Sequence, residues 1–241
     1  MKIIVCNSYD EMSLEAFKIM KDVVVNNPNG VLGLATGTTP LGLYALMIKD
    51  HKENGTSYKN MRTVNLDEYV GLGIESDQSY VYFMKHNLFD GLDIDQWNCN
   101  IENGLAKDYG KECERYNEVL RNNQQDIQLL GIGSDGHIAF NEPNTPFGQE
   151  THIAILEEST IKDNSRLFKD IKDVPTKAFT QGIANIMRAK KILLIASGAN
   201  KAKAILDTVK GPVTEKVPAS VLQLHPDCTL ILDKEAASLL K

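Results

Sequence analysis

The sequence predicts an α/β protein: a single-domain, open and mostly parallel (Rossmann-like) sheet with helices on both faces. Short apolar runs rich in β-branched residues recur at 3–6, 31–35, 63–66, 127–131, 191–196 and 229–232, as strands buried between two layers do. Longer segments of helical period separate them, and that alternation builds βαβ crossovers. The 241 residues are 42% apolar, enough for one sizeable core. No repeat, low-complexity block or Pro/Ser-rich linker divides residues 1–241, so one domain is expected.

The first run, 3–6, is too short to be a signal peptide and reads as a strand. The helix after it carries Ala16, Ile19, Met20 and Val23 on one stripe. Ser13 is the expected cap, with Met12 and Phe17 as a hydrophobic staple.

The second strand runs into Gly33-Leu34-Ala35-Thr36-Gly37-Thr38-Thr39-Pro40. Thr39 fits an N-cap and Pro40 the first helical position. Gly37 permits a sharp turn, which leaves backbone N–H groups and the hydroxyls of Thr36, Thr38 and Thr39 for an anion at the helix start. An ordinary βα turn is the other reading. The segment is neither a Walker loop nor Gly-x-Gly-x-x-Gly.

The third strand ends in Asn65-Leu66-Asp67-Glu68-Tyr69. Adjacent acids there are either a solvated turn or a mount for a general base. One side chain of such a pair enters a cleft, and Asp67 is the expected one.

The densest segment follows the fourth strand: Gly131-Ile132-Gly133-Ser134-Asp135-Gly136-His137-Ile138-Ala139-Phe140-Asn141-Glu142-Pro143. A core cannot take so many ionisable groups without partners. Asp135, His137 and Glu142 make an imidazole flanked by carboxylates, suited to moving protons near neutrality. A metal site is the rival reading, but His51, His86, His152 and His225 offer no paired spacing. No metal and no cofactor are expected.

Residues 145–174 are less regular. They contain an expected strand at 151–156 and a polar stretch that reads as an active-site lid or a plain surface excursion. Arg166 lies within it. Ser197-Gly198-Ala199-Asn200-Lys201 then opens a helix after the fifth strand. Lys201 in a first helical turn is disfavoured by the dipole unless an anion offsets it, although a solvated lysine is the simpler account.

A net charge of -6 without a basic tract argues against broad nucleic-acid binding. No run reaches the roughly 18 apolar residues that a membrane helix needs. Cys6, Cys99, Cys113 and Cys228 are scattered, as reduced thiols are, so the expected location is cytoplasmic.

Taken together, these segments resemble one family, the glucosamine-6-phosphate deaminases. The likeness runs through 34–44, 65–72, Ser79-Tyr80 with Phe83-Met84, and 136–143. It continues in Asn164-Ser165-Arg166, Thr180-Gln181-Gly182-Ile183, Lys201-Ala202 and Leu222-Gln223-Leu224-His225. The resemblance implies conversion of glucosamine 6-phosphate to fructose 6-phosphate and ammonia. It implies Asp67 as the base carrying a proton from C2 to C1, and His137 as the ring-opening group tuned by Asp135 and Glu142. Phosphate would be held by Thr36, Gly37, Thr38, Thr39, Arg166 and Lys201. The expected partner is that small substrate, with the chain a monomer or small homo-oligomer.

Two departures stand out. Thr38 replaces a smaller residue of the usual loop while keeping a hydroxyl, and the chain resembles the family's shorter form, without a C-terminal extension. The nearest rivals are a 6-phosphogluconolactonase, which shares Gly-x-Asp-Gly-His, and a sugar-phosphate sensor domain. Continuation as Ile138-Ala139-Phe140-Asn141-Glu142 departs from the first. The second would need a DNA-binding segment ahead of the strand at 3–6.

Overall fold

The central apolar runs become strands buried between helical layers on both faces. The computed structural model describes residues 1–157, 160–162, 168 and 170–240. The chain runs β1 (Lys2–Cys6), α1 (Tyr9–Asn26), β2 (Val31–Leu34), α2 (Leu41–Asn54), β3 (Arg62–Asn65), β4 (Asp67–Tyr69), α3 (Tyr80–Asn87) and β5 (Cys99–Asn100). It continues α4 (Tyr109–Asn122), β6 (Ile127–Leu130), β7 (His152–Ile155), β8 (Lys177–Thr180), α5 (Ile183–Ile186), β9 (Ile192–Ala196), α6 (Ala202–Lys210) and β10 (Cys228–Asp233). Seven strands form one sheet in the order β1-β10-β9-β6-β2-β3-β5, and every pairing in it is parallel.

The period of two is visible in β2. Leu32 and Leu34 join the main core with Met20 of α1 and Leu43 of α2. Val31 points the other way and packs with Val64, Tyr116 and Leu120, the last two from α4. All six expected strands are present, in the single open sheet that the sequence predicts.

Three local expectations are corrected. β1 is an edge strand with one neighbour, so Ile3 and Val5 are 37% and 53% exposed rather than buried. α1 begins four residues before Ser13 and is capped by Ser8, whose hydroxyl accepts the Glu11 N–H at 3.2 Å. Ser13 is buried inside the helix, against Gly42. At α2 the cap position is Pro40 rather than Thr39, and no side chain caps that end.

A second sheet, β4-β8-β7, is antiparallel. The chain leaves the main sheet after Asn65 and enters the small one at Asp67, with Leu66 as the crossing point. β2 leads to β3 and β5 on one side of the main sheet, whereas β6 leads to β9 and β10 on the other. Loops at the carboxyl ends of β2 and β6 therefore diverge and open a crevice at this topological switch point.

The loop after β2 is fastened from behind by Tyr44, which is fully buried. Its hydroxyl accepts the Ala35 N–H at 3.2 Å and donates to the Ala35 carbonyl at 2.5 Å. Replacing Tyr44 by Phe removes both contacts and leaves buried polar groups poorly served. A loss of about 1–3 kcal/mol in stability is expected, read as a lowered denaturant midpoint at unchanged m-value.

Candidate active site

The crevice holds a cavity of about 630 Å³ at the carboxyl ends of β2, β3, β6 and β9, lined mainly by the loops that follow those strands. That volume suits a small phosphorylated sugar. Thr36, Gly37, Thr38 and Thr39 line one wall, with Lys201 on the loop after β9. Asp67 and His137 line the floor of the same space. Asp135 and Glu142 stand behind His137. Arg166 lies outside the described residues.

Gly37 has a φ of +93°, and a Cβ there would meet nothing within 4 Å. Its requirement is therefore conformational: the loop must turn through the left-handed region. Tyr9 holds the far side, its hydroxyl 3.2 and 3.0 Å from the carbonyls of Thr38 and Thr39 while it accepts the Gly42 N–H at 2.8 Å. The first turn of α2 has neither an acidic residue nor a side-chain cap. Its positive dipole end is thus left for an external anion.

His137 packs directly on Gly133. A Cβ on Gly133 would come within 2.3 Å of the His137 ring and 2.6 Å of Asp135 Oδ1. Only glycine lets the imidazole and its carboxylate lie against the backbone. His137 Nδ1 is 2.8 Å from Asp135 Oδ1 and 3.5 Å from Glu142 Oε2. Ala139, in the left-handed region at φ 52°, makes the tight turn that returns Glu142 towards the ring. Thr160 donates its hydroxyl to Glu142 Oε1 at 2.7 Å.

The donor atoms of Asp135, His137 and Glu142 lie within 4.8 Å of one another, so a cation is within their geometric reach. Ligands of a tetrahedral zinc, each about 2.0–2.1 Å from the metal, stand roughly 3.3 Å apart. The shorter 2.8 Å separation of Nδ1 from Asp135 is that of an imidazolium–carboxylate contact, and the arrangement fits a proton better.

Electrostatics separates the two stations. Burial opposes the charge on His137, but Asp135 and Glu142 outweigh it and carry its pKa up to about 9. Asp135 is itself partly desolvated, yet the adjacent imidazolium brings it down to about 2. Asp67 is the converse case. Burial, then the Glu68 charge, pushes its pKa up to about 8, against a lowering by the His137 charge.

Glu68 belongs to the architecture instead: its carboxylate accepts the N–H groups of Tyr69, Tyr80 and Val81 at 2.7, 2.9 and 2.8 Å, which fixes the start of α3. Burial nevertheless pushes it up to about 7. The choice of Asp67 over Glu68 as the residue entering the cleft is matched by the cavity lining.

Sequence reasoning did not single out three further lining residues, Tyr80, Thr160 and Lys162. Tyr80 packs its ring against Tyr69 of β4, with centroids 4.7 Å apart, and stacks on Phe140, so it ties α3 to the floor of the cavity. Its place after Ser79, the cap of α3, was the available signal. Thr160 and Lys162 lie in the irregular stretch, where no periodicity announces a direction.

Residues 9–231 match the family of glucosamine-6-phosphate isomerases and 6-phosphogluconolactonases. The chain belongs to that family. Among its relatives, the glucosamine-6-phosphate deaminase of Thermoanaerobacter pseudethanolicus is 51% identical, with all of this chain and 95% of the relative aligned. That of Clostridium novyi is 51% identical over 99% of each chain. A monomeric glucosamine-6-phosphate deaminase of known structure superposes with a TM-score of 0.97 at 44% identity, covering 99% of this chain and all of that one. A 6-phosphogluconolactonase from Trypanosoma cruzi has the same fold, with a TM-score of 0.81 at 22% identity over all of this chain and 97% of its own.

A carboxyl whose folded pKa is raised favours folding fully below its unfolded value near 3.8, and that contribution is lost as pH rises through about 8. An amide in its place is indifferent to pH. Asp67→Asn is therefore expected to melt above the wild type, with a gap that widens from pH 4 to pH 8. Equal melting temperatures across that range would contradict the burial assigned to Asp67.

Proposed function

We propose that Asp67 and His137 are the two proton-handling groups of a glucosamine-6-phosphate deaminase reaction in amino-sugar catabolism. The observation that carries the reading is the placement of a desolvated carboxyl and a carboxylate-flanked imidazole in one cavity, beside an uncapped helix start suited to phosphate. The glucosamine-6-phosphate deaminases that match along the whole chain support the substrate.

In this reading the sugar phosphate lies against Thr36–Thr39 and Lys201, with Arg166 as a further cation. His137, protonated at neutrality, gives its proton to the ring oxygen O5 as the C1–O5 bond breaks, and recovers one from the O1 hydroxyl as the C1 carbonyl forms. Asp135 and Glu142 keep the imidazole charged and oriented. Asp67, as carboxylate, takes the proton from C2 to give an enolamine and returns it to C1. Water then adds to the imine at C2, and ammonia departs to leave fructose 6-phosphate. Neither a redox step nor an amine-bound cofactor enters this sequence. Each positioned acid or base contributes about 10²–10⁴-fold in rate.

Thr160 and Lys162 reach the cavity from the 145–174 stretch, which supports a covering role for it. A glucosamine-6-phosphate deaminase described as monomeric matches along nearly the whole chain, which supports a monomer. Reduced, scattered cysteines support a cytoplasmic setting.

Ammonia release from glucosamine 6-phosphate, followed in a coupled assay with and without chelator, tests the reaction. Turnover unaffected by chelator is expected, whereas hydrolysis of 6-phosphogluconolactone without ammonia release would redirect the assignment. Asp67→Asn should abolish turnover while substrate still binds. His137→Gln should lose about 10²–10⁴-fold, partly spared on open-chain analogues; equal loss on both would remove ring opening from its role.

The pH profile carries its own sign. A base must be ionised, so kcat/KM should rise with pH along a limb set near 8 by Asp67. An acidic limb near 4 would mean that another group is the base.

A further inference from the structure

Thr180 and Gln181 take no part in the chemistry above, yet both are fully buried and bonded towards both proton-handling groups. On one side Thr180 is the direct antiparallel partner of Asp67 in the β4–β8 register. The Gln181 N–H donates to the Leu66 carbonyl at 2.7 Å, and its Nε2 donates to the Asn65 carbonyl at 2.7 Å. The two residues immediately before Asp67 are thereby fixed.

On the other side lies the loop that carries His137 and Glu142. The Phe140 N–H donates to the Thr180 hydroxyl at 3.1 Å. Asn141 Nδ2 donates to the Gln181 carbonyl at 2.9 Å and to the Ile138 carbonyl at 2.9 Å. Gln181 is braced in turn by Gln125, whose Nε2 donates to Gln181 Oε1 at 3.1 Å. Asn141, Gln125 and Gln128 are buried as well. Buried polar networks of this kind hold one geometry because any displaced member is left unsatisfied.

We propose that Thr180 and Gln181 are positioning residues, a buried clamp that sets the distance and orientation of Asp67 relative to the His137–Glu142 pair. The proposal rests on the two-group reading given above. Asp67 is carried by the small antiparallel sheet and His137 by a loop of the large parallel one, so their spacing depends on what joins those bodies. A misplacement of about 1 Å in a reacting group costs roughly 10²-fold in rate without weakening substrate binding.

The test uses three variants of the full chain, assayed well below their melting temperatures and normalised to folded protein by circular dichroism. Thr180→Val keeps the shape and removes the hydroxyl, Thr180→Ser keeps the hydroxyl, and Gln181→Met keeps the length and removes the amide. For Thr180→Val and Gln181→Met, kcat should fall about 10-fold or more, with KM for glucosamine 6-phosphate within about 3-fold of wild type. Thr180→Ser should retain about half of kcat or better. A purely structural role lowers the melting temperature but leaves kcat per folded molecule unchanged.

The proposal is overturned if folded Thr180→Val and Gln181→Met both keep kcat within about 2-fold, or if Thr180→Ser and Thr180→Val lose equally. Should Gln181→Met fail to fold, the valine–serine pair at 180 decides alone. A wild-type protein that releases no ammonia defeats the underlying reading, a result distinct from any ranking of the variants.

Discussion

The burial of Asp67 is the constraint around which the site is built. A carboxyl withdrawn from water and placed next to Glu68 has no ordinary reason to exist in a core, because its charged form is opposed on both counts. Glu102 adds to the difficulty: it is buried near Asp67, and neither of its oxygens has a hydrogen-bond partner among the described residues. The protein tolerates three acids here by giving Glu68 three backbone N–H donors and by pushing Glu102 well above the usual carboxylate range through burial. Asp67 alone lines the open cavity. The raised pKa of Asp67 costs stability at neutral pH, and the proposed function gives that cost a purpose: a desolvated proton acceptor in the cavity.

The second group of the same cavity solves the inverse problem. His137 would lose its proton on burial, and two carboxylates prevent that. Both groups therefore titrate far above their ordinary values, the aspartate through desolvation and the histidine through its neighbours. They are also linked, since the His137 charge lowers the Asp67 pKa. An imidazolium that gives up its proton makes the aspartate a stronger base, and one that regains it makes the aspartate more readily ionised. In the reaction proposed above, this links ring opening to carbon deprotonation through space, with no shared hydrogen bond required.

Much of this was legible in the chain, for reasons that differ by element. The buried parallel strands announce themselves because both faces are covered and their side chains need no alternation. Asp135, His137 and Glu142 stand out because a polar cluster straight after such a strand has no structural use. β4 was not legible as a strand: Asp67, Glu68 and Tyr69 carry no apolar pattern, and their pairing with β8 spans more than a hundred residues. The α1 cap was misplaced for a subtler reason. Ser8 with Glu11 three residues on has the spacing of a capping box, but the Glu11 carboxylate reaches back to the Asn7 N–H and side-chain amide instead. The roles of Tyr80 and Thr160 depend on tertiary contacts that no local period encodes.

The fold itself is not what selects the reaction. Lactonases of known structure share it at about 20% identity, and one fold hosts different reactions. Lactone hydrolysis asks for an activated water and a stabilised oxyanion. Moving a proton between adjacent carbons asks in addition for a fixed base over the C1–C2 bond. In the reaction proposed above that requirement falls on Asp67, just past Leu66, where β3 ends and β4 begins. The large sheet supplies the anion site and the imidazole, and the small sheet supplies the carboxylate that faces them. On that reading the crossing from Asn65 to Tyr69 carries the base of the carbon acid step from one sheet to the other.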